Sequence, residues 1–367
     1  MVKVLEREDI NNLIVGTTIL GTGGGGDPKE GLEILTKDLK SGRKLMLAKA
    51  SELDPESLVI CAYFCGSIPA PGEKTKPKRL PLETDRVVKA LKTLEKMLGK
   101  KVSAVIPTEI GGGNTAVALH IASILGVPAL DGDQVGRSAP ELDQSSYVIC
   151  GVKAVPSVIT DSQGNVVLVE DYASISSYES IARTLAVMLG GSVLVMDSPV
   201  AAKNVRKIAI HDTVSKAISL GKVVNKAREN GKDPVKAIID FAECFRVFSG
   251  SVAKHSLRVE HGFLTGEIEI EGSEEWRGSL FKIWVKNENI IGWKDGEVAV
   301  MSPDLICMVN EKGYGITNSE INTKMQVNII SIKAPEIWRT SRGIQLFGPK
   351  HFGFNFEYVP VEKLMKV

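Results

Sequence analysis

The sequence predicts an α/β fold with a mainly parallel sheet over residues 1–240, followed by a β-rich domain over 241–367, with an alternative boundary near residue 170. Three observations carry this expectation. Short apolar runs at 58–64, 102–106 and 127–130 alternate with helical patterns at 83–98 and 114–125, the rhythm of strand–helix–strand units. Beyond about Phe245 no long helical pattern recurs, and stretches such as Glu267-Ile268-Glu269-Ile270 alternate with the period of a half-buried strand. A chain of 367 residues is also long for a single core.

Taken in order, Asp9 is placed to cap a helix running to about Leu20. The glycine-rich stretch Gly21-Thr22-Gly23-Gly24-Gly25-Gly26 follows, and Asp27-Pro28 has the chemistry of a helix cap and first turn. That second helix ends near Gly42. The run from Leu58 to Phe64 reads as a buried strand, and Gly66 to Pro81 as a loop rich in proline, glycine and lysine. The strand 102–106 leads into Thr108–Gly113 and a helix that Asn114 can cap. A polar loop spans 131–143. Two strands flank the five residues 161–165 as a hairpin, and helices return near 178–189, 213–230 and 233–241, with a strand at 192–196 before the last two. In the last third, 266–271, 281–285, 290–301 and 327–332 are β-like, with Lys294-Asp295-Gly296 as a tight turn.

Composition narrows the function classes. Basic and acidic residues nearly cancel, at 45 against 44, which argues against a strongly basic nucleic-acid binder. No apolar run has the length of a membrane span, and the charged N-terminus lacks a signal core, so a cytoplasmic protein is expected. Five cysteines are too few and too odd in number for a disulfide framework. Cys61 and Cys65 share one face of a strand and read as small buried hydrophobes. The histidines have no metal-ligand spacing, and His120, on an apolar helix, reads as a satisfied, partly buried residue.

Four loops carry possible chemistry. Gly23, Gly24, Gly25 and Gly26 could expose backbone N–H groups to a ligand. The segment before them is helical, however, and no Gly-Lys-Ser/Thr ending follows, so a dinucleotide or phosphate loop is disfavoured. Gly66 leaves a strand end, and Glu73 and Lys74 follow it, with Lys74 able to neutralise a carboxylate. Glu109 precedes Gly111, Gly112, Gly113 and Asn114, a glycine cradle beside an acid/base or metal candidate. Asp131 and Asp133 lie two residues apart at a strand end, suited to a hard cation or polar substrate, with Arg137 as a bidentate partner for a carboxylate.

In this order, the motifs resemble the S-methyl thiohydantoin desulfurase family, a hydantoinase-related family formerly described as a domain of unknown function. The likeness runs through Gly21–Pro28, Gly66–Pro69 with Glu73-Lys74, Glu109–Asn114, and Asp131–Asp133 to Pro140-Glu141. It continues at Gly262-Phe263, Gly266, Trp293–Gly296, Pro303–Leu305, Gly348-Pro349 and Phe352-Gly353. It departs at Cys65 and Ser67, where Met and Ala are usual, and at Ser138-Ala139, where Ala-Phe is usual. The resemblance implies an N-terminal α/β and a C-terminal β-rich domain. It also implies an enzyme hydrolysing a small cyclic thiohydantoin or hydantoin.

On that reading Glu109, Asp131 and Asp133 are the acid/base or metal candidates. The glycine-loop N–H groups would stabilise negative charge, and Lys74 and Arg137 would hold substrate charge. A divalent metal is compatible with these residues but not demanded by them. Two alternatives stand beside it: a nucleotide-dependent oxoprolinase-like enzyme, and a non-catalytic accessory subunit of a hydantoinase-type complex. A small-molecule substrate is expected, with no nucleic acid and no membrane; a homo-oligomer or a hydantoinase-type partner is left open.

Overall fold

A computed structural model describes residues 2–66, 68–73, 84–189 and 191–365. Two eight-stranded sheets dominate it. In the first, the strands run in the order Lys3–Leu5, Leu45–Ala48, Ala129–Leu130, Val102–Ile106, Leu58–Gly66, Ser192–Ala201, Ser157–Thr160 and Val166–Val169. The four strands from Leu45–Ala48 to Leu58–Gly66 are mutually parallel, and every pairing outside them is antiparallel. The sheet is therefore mixed rather than mainly parallel. An apolar run does not encode its direction. Here Ser192–Ala201 returns against Leu58–Gly66, and the hairpin around 161–165 extends that edge.

The second sheet is antiparallel throughout, in the order Glu297–Met301, Glu288–Lys294, Leu280–Lys286, Phe263–Gly272, Phe245–His255, Gln326–Ile332 and Leu305–Val309, with Arg258–Glu260 paired to Phe263–Gly272. The Glu-Ile alternation behaves as its period requires: Ile268 and Ile270 are buried while Glu267 and Glu269 are half-exposed.

Helices Arg7–Leu20 and Thr213–Glu229 pack against each other and join the two sheets into one apolar mass. Leu13, Ile14, Val214, Ala217 and Val224 share a cluster with Leu47 and Val105 of the first sheet and Cys307, Val309, Ile330 and Ile332 of the second. Burial of this continuous surface is the main stabilising term. The first helix begins two residues before Asp9. Glu6 is its N-cap, and Asp9 accepts the Glu6 N–H at 3.1 Å from the third position, so Asp9 completes a capping box. Asp27 caps Pro28–Lys40 as expected, accepting the Lys29 N–H at 2.8 Å.

All five cysteines are free thiols. His120 is buried and paired with Asp38 at 2.7 Å. Among the described residues, no helix is long and apolar enough to cross a membrane.

Candidate functional site

A cavity of about 110 Å³ opens where the ends of the first sheet's central strands meet the glycine loop and one turn of the second sheet. Gly25 and Gly26, Gly66, Glu109 and Asn114, and parts of the 134–144 segment, among them Gln134 and Ala139–Leu142, contribute to its wall. The loops singled out in the sequence thus meet around one space.

Glu109 follows the strand Val102–Ile106 and is buried. Both of its oxygens are engaged: Oε1 accepts from Asn114 Nδ2 at 2.7 Å, and Oε2 from the Ala139 N–H at 2.9 Å. Asn114 does not cap its helix; Gly113 is the N-cap residue. The Asn114 side chain is thereby free to hold Glu109, and its Oδ1 also accepts the Phe64 N–H at 3.1 Å.

A second carboxyl comes from the other end of the chain. Glu288 follows the tight turn at Asn287, whose φ of 56° lies in the left-handed region. Asn287 is fixed by exchanging hydrogen bonds with Leu264, 2.7 Å from its own N–H and 2.9 Å to its Oδ1. Glu288 accepts the Gly25 N–H, and its other oxygen, Oε2, is buried without a protein partner at the cavity wall. A Cβ on Gly24 would come within 1.8 Å of the Glu288 carboxylate, so only glycine admits this close approach.

The two acids influence each other. Burial pushes Glu288 well above the usual carboxylate range, and the Glu109 charge pushes it further. Burial also raises Glu109, against the opposing pull of Asn114, the Ala139 N–H, Arg137 and Arg183. A hydrogen bond to each oxygen favours the ionised form at Glu109, and the free Oε2 suits a proton on Glu288.

Arg183, on the helix Ile175–Met188, is the cation of this wall among the described residues. Its guanidinium pairs with Glu179 at 2.8 Å, donates to Gly262 O and Pro140 O, and lies 3.7 Å from the ring centre of Phe263. Glu179 also accepts the Leu142 N–H at 3.1 Å, so the pair clamps the 140–142 segment. Sequence reasoning missed both Arg183 and Glu288. The first sits in an ordinary amphipathic helix, and the second in a polar hairpin turn. The one available signal was a lone Asn-Glu-Asn between two apolar strands.

The remaining expected residues lie elsewhere. Arg137 is fully buried and does not line the cavity. It donates to Ser138 O, Pro303 O, Asp304 O, Asn289 O and Thr22 Oγ1, at 2.9–3.3 Å, and stacks over Phe347. Its donors are spent on tying the two ends of the chain together, so it does not offer a fork to a substrate carboxylate. Asp133 Oδ2 accepts the Val135 and Gly136 N–H groups at 2.8 and 2.6 Å, and burial raises its pKa to about 7. Asp131 accepts the Ser215 N–H at 2.9 Å and so caps the helix Thr213–Glu229 from outside that helix. Neither aspartate lines the cavity.

The glycine loops pack on each other. A Cβ on Gly111 would lie 2.4 Å from Gly25 Cα, and Gly113 N–H donates to Gly25 O at 2.9 Å. Gly111 N–H donates to Thr115 Oγ1 at 3.0 Å and Gly24 N–H to Gly21 O at 2.8 Å. A Cβ on Gly112 would meet Pro28 at 2.8 Å. Close backbone approach, rather than an anion cradle, explains most of these glycines. Gly23 and Glu73 face an adjoining recess of about 220 Å³ beside Lys29 and Glu320. Glu73 accepts the Ala70 N–H at 3.1 Å. Lys74 and Ser67 lie outside the described residues.

The metal candidates Glu109, Asp131 and Asp133 do not gather around one point. Among the described residues, Glu141, Asp143 and His351 do, with ligand atoms within 4.8 Å of one another. Lys286 already occupies Glu141, and His351 bonds it at 2.6 Å. Burial works upward on Glu141, but these two partners hold it at about 2. Internal ion pairs with Lys286 and His351 account for Glu141.

Two family models match the chain: "S-Me-THD-like, N-terminal domain" over residues 8–171 and "S-Me-THD-like, C-terminal domain" over 173–361. No curated protein matches it. Among solved structures, a protein from Chromobacterium violaceum determined by X-ray crystallography shares the fold, with a TM-score of 0.78 at 19% identity over 98% of this chain and 100% of that one.

Proposed function

Because this chain belongs to the S-Me-THD-like family along both of its halves, we propose that it is a hydrolytic enzyme acting on a small cyclic thiohydantoin or hydantoin. One observation carries the reading: two buried carboxyls from distant parts of the chain meet one cavity in unlike environments. Paired acids whose surroundings differ can divide the roles of general base and general acid.

Glu109 is the base. A water held against it adds through oxygen to the ring carbon between the two nitrogens, and Glu109 takes the water's proton. Glu288 is the acid and gives its proton to the adjacent ring nitrogen as negative charge develops there. For an S-alkylated thiohydantoin the carbon–sulfur bond then breaks. The sulfur leaves as a thiol with the proton from Glu109, and the new hydroxyl returns its proton to Glu288 as the carbonyl forms. Both carboxyls end as they began. Arg183 limits the build-up of negative charge in the site. Cys65, which burial pushes up to about 11, stays a neutral thiol and is not the nucleophile.

The glycine loop supports this assignment over a nucleotide site. The Gly25 N–H is directed to Glu288 and so is already spent on a side chain of this protein rather than offered to a phosphate. The test is turnover of an S-methyl thiohydantoin, followed by thiol release. Glu109→Gln and Glu288→Gln should each fold and each lose at least about 100-fold in turnover. Near-normal turnover in either folded variant would remove that residue from the mechanism.

A further inference from the structure

At its enclosed end the cavity holds a polar group that the two-carboxyl chemistry does not use. Asp197 lies on the strand Ser192–Ala201 and is 3% exposed. Its Oδ2 accepts from Tyr63 OH at 2.8 Å and Tyr178 OH at 3.1 Å. The Ser198 side chain also donates to this carboxylate, and since a carboxylate has about four lone-pair sites, these three partners leave it capacity for one more. Tyr147, 2% exposed, lines the same space, and its hydroxyl has no protein partner. A buried hydroxyl in that state carries an uncompensated loss of hydration unless something in the cavity bonds it.

The backbone gives an independent indication. Pairing with Leu58–Gly66 slips between Val59↔Val200 and Cys61↔Asp197, so the strand bulges at the two residues between. Ser198, in that bulge, has a φ of 51°, a conformation uncommon for a non-glycine residue. Bulges re-aim side chains, and strain of this kind persists where the surroundings enforce it. Here it turns Asp197 and Ser198 to the cavity wall.

We infer that this end of the cavity recognises an uncharged ring substituent bearing an N–H or O–H donor, such as a carboxamide, and rejects the isosteric carboxylate, with Asp197 as the specificity-determining acceptor. The inference rests on the reaction proposed above and names the side chain of its substrate. A carboxamide gives its N–H to Asp197 and meets Tyr147 OH with its other atoms. A carboxylate would instead set a second anion against a buried one, while the guanidinium of Arg183 is already paired with Glu179.

The test compares binding of 5-(2-carbamoylethyl)hydantoin and 5-(2-carboxyethyl)hydantoin to the full chain at neutral pH by calorimetry. The amide should bind at least about 10-fold tighter. Asp197→Asn should abolish or invert that ratio. Tyr147→Phe, which removes a hydroxyl without a protein partner, should weaken the amide several-fold and leave the melting temperature unchanged or raised. If Asp197→Asn does not fold, the wild-type ratio and Tyr147→Phe decide. Equal binding, or tighter binding of the carboxylate, overturns the inference, as does an unaltered ratio in folded Asp197→Asn. An amide preference without hydrolysis of any thiohydantoin removes the reaction and leaves the pocket; failure of both hydantoins to bind removes both.

Discussion

Two buried arginines, Arg137 within the 134–144 segment and Arg183 bonded to that segment at Pro140, have surroundings that give them opposite work. Arg137 meets four carbonyls and a hydroxyl drawn from both ends of the chain, with no carboxylate in its hydrogen-bond set. Burial lowers its pKa to about 10. Arg183 is also desolvated, but its pKa is raised, its guanidinium is paired with the Glu179 carboxylate at 2.8 Å, and it borders the cavity. An arginine whose donors all go to carbonyls and a hydroxyl is a tie between segments. One bonded to a carboxylate beside an open space sets the charge of a site. Residue type and loop position suggested Arg137 for the second task; its partners place it in the first.

The largest effect that could break this comparison is on stability. Arg137→Met strands four carbonyls and a hydroxyl in the interior and should cost about 3–5 kcal/mol in denaturant unfolding, the scale for breaking a buried polar network. A loss below about 1 kcal/mol, the scale of an ordinary substitution, would mean that Arg137 does not tie the two ends.

Asp133 sharpens the same point through pH. Its folded-state pKa of about 7 lies above its ordinary 3.8. The folded protein therefore holds this proton more tightly than the unfolded chain, and stability from this group is full below the ordinary value of 3.8 and is lost as pH rises to about 7. Asp133→Asn keeps an acceptor for the Val135 and Gly136 N–H groups but cannot ionise. Its stability relative to the parent should climb across that same window, by up to roughly 4 kcal/mol. A pH-independent difference would contradict the burial argument.

Gly111→Ala tests whether the glycine loops are packed rather than poised for an anion. A methyl 2.4 Å from Gly25 Cα should cost about 1–3 kcal/mol. Unchanged stability would reopen the loop as a binding surface. The smallest stability effect is expected at Arg183→Lys, about 1 kcal/mol, because one ion pair with Glu179 can persist. Turnover should nevertheless fall about 10-fold, the reverse of a conservative Arg137→Lys change, which should lower the melting temperature and spare turnover measured well below it.

Much of the fold was legible because local chemistry decided it. Asp27-Pro28 starts its helix, the run 102–106 is a strand, residues 114–125 form a helix, and the five residues 161–165 close a hairpin. Strand direction was not legible, since an apolar run such as 192–196 looks alike in either sense and only the connections orient it. At the site, Glu109 and the glycines were visible as unusual loop residues. Glu288 and Arg183 were not, because their roles come from partners far along the chain, such as Gly25 for Glu288 and Gly262 for Arg183. Asn114 was visible but read as a cap, and its side chain instead holds Glu109.

The central claim is that Glu109 works ionised and Glu288 works protonated in one cavity, and the pH dependence of kcat/KM for the parent and Glu288→Gln tests it most directly. The parent should lose rate at acid pH as Glu109 gains a proton and at alkaline pH as Glu288 loses one. Glu288→Gln should be at least about 100-fold slower, lack the alkaline limb, and keep the acid limb nearly where it was, because a protonated Glu288 puts no charge beside Glu109. An alkaline limb that survives unchanged in folded Glu288→Gln would contradict the account.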